Sequence, residues 1–146
     1  ASRNEIMKKN IPLYRIFEMS SSWDNISREL VTNMRVTFEI GHPTFVRILG
    51  ETQDINIATV HTFLTILSTE LDSLVIRKKG ESAARDLAKR AKEILDAGGL
   101  TSGKGRKMAE SLDVALAEEG NRLNPGTTAD LTCSSIMVAL LEGWRP

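Results

Sequence analysis

The sequence contains a single cysteine, Cys133, so no disulfide within the chain can staple the fold. That usage fits a reducing compartment, and the apolar setting of Cys133 predicts a small buried hydrophobe. Two histidines, His42 and His61, lie far apart, so a zinc site has no ligand set. The longest apolar run, Ile136 to Leu141, falls far short of the ~20 residues a membrane-spanning helix requires. No signal peptide is visible, because Ala1 to Asn10 is polar. Net charge is also missing: 19 basic residues balance 19 acidic ones, which gives no bulk attraction to nucleic acid or to an anionic membrane. The expectation is a soluble, cytoplasmic chain that binds neither. A Gly-x-Ser-x-Gly elbow, and with it a supportable Ser-His-Asp arrangement, is absent.

Proline is scarce, standing only at 12, 43, 125 and 146, and no stretch sustains period-two alternation. With 146 residues, the chain reads as one all-α domain of about six to eight helices with a buried C-terminal helix. Ile11 to Met19 predicts a short helix with Pro12 in its first turn, and Trp23 to Val31 begins another. His42-Pro43 predicts a turn followed by a helix over Thr44 to Leu49. Asp54 or Asn56 caps a helix whose stripe is Ile57, Val60, Leu64, Leu67 and Leu71, broad enough to be buried. His61 faces that stripe and reads as a satisfied core residue. Glu81 to Ala97 is amphipathic, with Ala84, Leu87, Ala88, Ala91, Ile94 and Leu95 inward. Asp86–Arg90 and Lys89–Glu93 have ion-pair spacing there, and Gly98-Gly99 ends the helix. Further helices are expected over about Gly103 to Glu119 and Thr128 to Glu142.

Three stretches carry candidate chemistry. Gly120-Asn121-Arg122-Leu123-Asn124-Pro125-Gly126-Thr127-Thr128-Ala129-Asp130-Leu131 is a polar loop entering the most apolar helix. Pro125 and Gly126 specify a tight turn; Thr127 reads as the N-cap, with Asp130 completing a short capping box. Such a start could cradle phosphate, and Asn124 and Asp130 offer the oxygen ligands that Mg²⁺ prefers; a merely well-capped helix explains the same residues. Asp72-Ser73-Leu74-Val75-Ile76-Arg77-Lys78-Lys79-Gly80 puts three consecutive cations before a glycine. They form either a phosphate clamp or a solvated basic segment. Gly98 to Lys104 imitates a P-loop, but Gly105 stands where Ser or Thr should hold Mg²⁺ and no strand precedes it. Trp23-Asp24 with Arg28-Glu29 could meet a nucleoside; core packing with a surface ion pair is the plainer account.

The second stretch, beginning at Glu70, then Ala97-Gly98-Gly99 and then the loop from Gly120 to Leu131, resembles the triphosphoribosyl-dephospho-CoA synthase family, in order and at plausible spacing. Trp23-Asp24 to Glu39 is similar to that family too. The resemblance implies an all-α transferase for which ATP and 3′-dephospho-CoA are substrates, Mg²⁺ accompanying the ATP. The acceptor's 2′-hydroxyl would attack C1′ of the ATP ribose and expel adenine. By the same resemblance Arg77 and Lys78 would clamp phosphate, with Thr127 and Thr128 beside them at the substrate. Asn124 and Asp130 would hold the metal or the ribose, Asp130 being a catalytic candidate. Asp72 would be a metal ligand, a base or the residue that orients Arg77. The family's Lys-Pro-Gly and His-x-Asp-Met segments are absent from this sequence. Residues 1–146 therefore read as the C-terminal half of such a protein, inactive alone and completed by an N-terminal half or by a homo-oligomer partner. The rival expectation is a non-catalytic helical interaction module that binds no nucleotide.

Overall fold

The structure, a computed structural model, describes residues 10–119 and 123–146. Gly120, Asn121 and Arg122 of the polar loop lie outside the described residues. The described residues form eight α-helices with one π and one 3₁₀ segment, and no strand appears among them.

Helix α1 (Leu13–Ser20) starts where Pro12 fixes the backbone, and it buries none of its residues. Helix α2 (Asn25–Val31) starts at Asp24, whose carboxylate accepts the Ser27 N–H. Asn33 and Met34 then take left-handed angles, φ 56° and 59°, and turn the chain back. The buried Glu29 carboxylate accepts the N–H groups of Val36 at 2.9 Å and Thr37 at 2.7 Å, fixing the start of the next helical stretch.

That stretch is one continuous coil, a π segment (Thr37–Gly41) passing directly into α3 (His42–Thr52). His42-Pro43 is therefore no turn. A proline ring inside an α-helix collides with the carbonyl four residues back, and widening the preceding turn relieves that collision without breaking the rod. Helix α4 (Ile55–Thr69) begins at Asp54, which accepts from Asn56 and Ile57. It buries Ala58, Thr62, Leu64, Ile66 and Leu67 against α3 and the helices that follow, so it is the central rod. Val60 of the expected stripe is 41% exposed.

Helix α5 (Ser73–Lys79) is short, and Gly80 at φ 86° joins it to α6 (Glu81–Asp96). Helix α6 buries Ala84, Leu87, Ala91 and Ile94, as its period requires. On its outer face Lys89 pairs with Glu93, and the other i,i+4 pairs are Glu81–Arg85 and Lys92–Asp96. A 3₁₀ turn (Gly99–Thr101) leads to α7 (Gly103–Glu118), started by Ser102, which accepts the Gly105 N–H. Gly98 through Lys104 is thus an interhelical turn and helix start.

Helix α8 (Gly126–Leu141) buries one face made largely of small polar residues, Thr127, Thr128, Thr132 and Ser135, with Leu131 and Ala139. Small side chains let the π segment come close. A Cβ on Gly41 would stand 1.9 Å from Ser135 Oγ. The opposite face carries Asp130, Cys133, Met137 and Leu141, all exposed. Cys133 is therefore not the buried hydrophobe its neighbours suggest. The main core joins α4, α5, α6 and α7 through Leu64, Leu67, Val75, Leu87, Ile94 and Leu112. A second cluster packs Phe45 and Ile48 of α3 against Ala58 and Ala139, closed by Trp144 edge-on to Phe45.

Candidate functional site

The site is built around Asp72, which is 1% exposed. Its Oδ1 accepts the N–H groups of Leu74 at 2.9 Å and Val75 at 3.0 Å, capping α5. Its Oδ2 accepts the Thr128 N–H at 2.8 Å and the Thr128 hydroxyl at 2.9 Å. One carboxylate thus holds the first turn of its own helix and the first turn of α8, 56 residues away. Leu74 closes the same junction, since a Cβ on Gly126 would lie 2.6 Å from Leu74 Cδ2. Four donors engage the carboxylate. That arrangement suits a positioning role; a base or metal ligand would need a free lone pair facing a cavity.

A reciprocal pair ties α2 to the same place. Asn25 Oδ1 accepts the Ser73 N–H at 2.8 Å, and Ser73 Oγ accepts the Asn25 N–H at 3.2 Å. The starts of α2, α5 and α8 are therefore locked into one junction. Glu70, immediately before it, receives Arg28 and Arg35. The hydrogen bond to Glu70, reinforced by its charge, pushes the Arg35 pKa up. None of Asn25, Glu29, Ser73 or Glu70 stands out in the sequence as a junction residue. Their partners lie 7 to 48 residues away, and no local pattern records such distances.

Outside this junction lies a cleft of about 470 Å³, lined by Ser20, Trp23, Asp24, Ser27, Ser73, Ile76 and Arg77. Arg77 makes no hydrogen bond or ion pair among the described residues, so its fork remains available. Trp23 is 68% exposed, which corrects the core-packing account of it. Glu29 of that same account is buried and bonded to backbone, and only Arg28 joins an ion pair.

The expected site residues divide into three groups. Asp72 and Thr128 are buried and bonded to each other. Arg77 faces the cleft, while Lys78 is exposed outside its lining and Lys79 pairs with Glu119 at 3.1 Å. Asn124 and Asp130 are exposed at the start of α8, and neither lines the Arg77 cleft. Thr127 is not the N-cap: the helix begins at Gly126 after Pro125, without a side-chain cap, and Thr127 Oγ1 is buried without a hydrogen-bond partner among the described residues. Proline at 125 displaces the cap because its fixed φ already sets the entry.

Among the described residues no three His, Cys, Asp or Glu side chains come together as a metal site. Asn124 and Asp130 are exposed and carry oxygens of the kind Mg²⁺ takes, an ion that keeps much of its water and needs only one or two protein oxygens. His61 is half-buried and its Nδ1 has no partner among the described residues, so it is not the satisfied core residue expected of the stripe. Burial first, then the Arg47 charge, lowers its pKa from 6.5, with Glu51 acting the other way. His42 Nε2–H donates to the Glu142 carboxylate at 2.9 Å.

The described residues form an all-α protein whose junction of helix starts adjoins a cleft lined by an arginine that has no partner among them. Comparison with known proteins narrows that class. The sequence model of ATP:dephospho-CoA triphosphoribosyl transferase matches residues 1–146, and the chain belongs to that family. It is 28% identical over 104 residues to a Pseudomonas fluorescens protein that bears the name 2-(5′′-triphosphoribosyl)-3′-dephosphocoenzyme-A synthase. That match takes in 71% of this chain and 35% of the relative. A solved structure from Archaeoglobus fulgidus, bearing the name triphosphoribosyl-dephospho-CoA synthase, superposes with a TM-score of 0.77 at 34% identity. The superposition covers 97% of this chain and 57% of that one. The chain thus spans from about a third to somewhat over half the length of these relatives.

Proposed function

We propose that this chain carries part of the site of a transferase that moves the triphosphoribosyl group of ATP to 3′-dephospho-CoA and releases adenine. The observation that carries the reading is the Asp72–Thr128 pair, which joins the cationic helix α5 to the Asn-Pro-Gly start of α8 in one rigid unit. A triphosphate needs charge neutralised at several points before a nucleophile can approach its ribose. Arg77 offers a bidentate fork and Lys78 a point charge. The start of α8 adds the positive end of a helix dipole. Asn124 and Asp130 would hold Mg²⁺ brought in by ATP, which would neutralise phosphate charge when bound.

In the reaction the 2′-oxygen of the acceptor forms a bond to C1′ of the ATP ribose as the C1′–N9 bond breaks. The bond electrons leave with adenine, and the hydroxyl proton is lost to a carboxylate or to the departing base. Asp130 is the exposed carboxylate in the motif and takes the role of proton acceptor in this reading. Asp72 is a positioning residue: it fixes the helix that carries Arg77. The glycosyl centre passes through an oxocarbenium-like state, which nearby carboxylates favour.

A second reading has one observation in its favour. Leu13, Tyr14, Met19, Phe38, Met137 and Leu141 are all more than half exposed, as the faces of an association module would be. Adenine release from Mg²⁺–ATP and dephospho-CoA by the full-length protein separates the two. The transferase reading requires release, with Arg77→Ala and Asp130→Ala each slowing it at least about 100-fold, the scale of a lost charge-stabilising group or general base. Absence of release, together with no stabilisation by Mg²⁺–ATP, leaves the association module.

A further inference from the structure

The transferase reading uses Arg77 but gives no task to the rest of its cleft. The lining there includes Trp23, Asp24 and the apolar Ile76. Asp24 spends Oδ2 on Ser27, whose N–H and hydroxyl donate at 2.8 and 2.6 Å. Its Oδ1 has no hydrogen-bond partner among the described residues. The lining therefore presents an exposed indole, an acceptor oxygen on a held carboxylate and a guanidinium without a partner among the described residues.

An occupant must satisfy all three. An apolar protein surface would desolvate Asp24 and Arg77 without partners, which is costly. A bare polyphosphate would face the Asp24 charge and ignore the indole. A ligand with a flat ring, hydroxyl donors and an anionic end matches each feature in turn, and about 470 Å³ accommodates one nucleoside.

We propose that this cleft seats an adenosine 5′-phosphate group: the Trp23 indole stacks on adenine, Asp24 Oδ1 accepts a ribose hydroxyl and Arg77 pairs with the 5′-phosphate. The assignment rests on the nucleotide reading above, in which two substrates, ATP and dephospho-CoA, both carry that group. Ser20 and Ser73 also line the cleft and bond to Ser27 and Asn25, which ties the lining to α1 and the junction.

Residues 1–146 hold two tryptophans, so in the full-length protein Trp144→Phe, with phenylalanine at any further tryptophan, leaves Trp23 as the sole indole reporter. In that background, ATP and dephospho-CoA are titrated while Trp23 emission is followed, with inorganic tripolyphosphate as the arm that lacks a base. Calorimetry then compares Trp23→Ala and Trp23→Phe with the Trp23 parent. The expected result is saturable quenching by at least one nucleotide, and that nucleotide identifies which substrate uses the cleft. Trp23→Ala should weaken the same nucleotide about 10- to 100-fold, the scale of one base–aromatic stack, and leave tripolyphosphate unchanged. Trp23→Phe keeps a π-face and should restore binding to within about threefold. Nucleotide binding that Trp23→Ala leaves intact and Arg77→Ala weakens overturns the stacking assignment while the transferase reading stands. Equal weakening of nucleotide and tripolyphosphate by Trp23→Ala also overturns it, since the base would then contribute nothing. No binding of any of the three ligands removes both readings.

Discussion

Asp72 looks like a catalytic carboxylate in the sequence and like a tie in the structure, and the two roles predict opposite phenotypes. Asp72→Ala strips acceptors from three N–H groups, two of them buried, and from one buried hydroxyl at once. A lost cap and unsatisfied buried donors together should cost about 3 kcal/mol. In a chain of 146 residues that lowers the melting temperature by about 6–12 °C. Asp72→Asn should lose nearly as much, because its amide NH₂ would meet donors. A catalytic base would behave otherwise: Asp72→Asn would melt like the parent and lose only turnover. Calorimetric melting of the two variants decides between them. The sequence shows a helix-capping Asp at 72, but its second oxygen is assigned by Thr128, and a contact 56 residues away has no local signature. The same holds for Glu29, which as a surface ion-pair residue would be solvated and instead caps the stretch beginning at Val36.

His61 supplies a second test at this scale. Its folded pKa is lowered below 6.5, first by burial and then by Arg47, so the unfolded chain binds the proton more readily. Its contribution to stability is then fully present above pH 6.5 and is lost as pH falls from there toward the folded value. Urea midpoints measured from pH 8 to pH 5 should fall more steeply for the parent than for His61→Gln. Parallel curves would show that the imidazole reaches solvent and charges freely.

At the scale of elements, most helices follow from caps and periodicity. Asp24, Asp54, Asp72 and Ser102 each open a helix by accepting backbone N–H groups, and these are residue types that compete poorly inside helices and well at their starts. The amphipathic α6 is likewise evident, because one face meets core and the other meets water. What periodicity does not reveal is the continuous rod from the π segment into α3. His42-Pro43 has the chemistry of a break, and only the wide turn before it lets the helix run on. That turn is pressed on α8 at Gly41, with Thr37 bonded to Ser134 at 2.9 Å. Gly41→Ala should therefore destabilise by about 1–3 kcal/mol through overpacking, even though alanine is the better helix former. Adding Ser135→Gly removes the colliding Cβ and Oγ. The double variant should recover part of the loss, a positive coupling in a double-mutant cycle read by denaturant midpoints. Strictly additive effects would mean that the two helices part without cost. Cys133 belongs to the same lesson. Its neighbours are apolar or small, yet a helix has more than one face, and composition does not say which face meets α4 and the π segment.

At the scale of the whole molecule, stability should be graded from the α4–α6 core outward to α1. Helix α1 buries no residue, and Leu13, Tyr14 and Met19 are all more than half exposed. Segments with few buried apolar contacts open at free energies well below that of global unfolding. Amide exchange in α1 should accordingly be fast and insensitive to Asp72→Ala, whereas α4 and α6 amides should exchange only on global opening and follow the variant's lost stability. The gradient reaches the cleft, because Ser20 at the end of α1 donates to Ser27 at 2.8 Å and Ser27 holds Asp24. Ligand seated between Trp23 and Arg77 therefore has to keep α1 closed. Bound Mg²⁺–ATP or dephospho-CoA should slow exchange at the C-terminal end of α1 and the start of α2 by the factor of added stability at the cleft, about 100-fold at 100 times the dissociation constant. The α6–α7 turn at Gly98–Ser102, which makes no part of the cleft lining, should stay at its ligand-free rate. Protection that appeared equally in both places would report a general tightening, and protection in neither would place the nucleotide elsewhere on the chain.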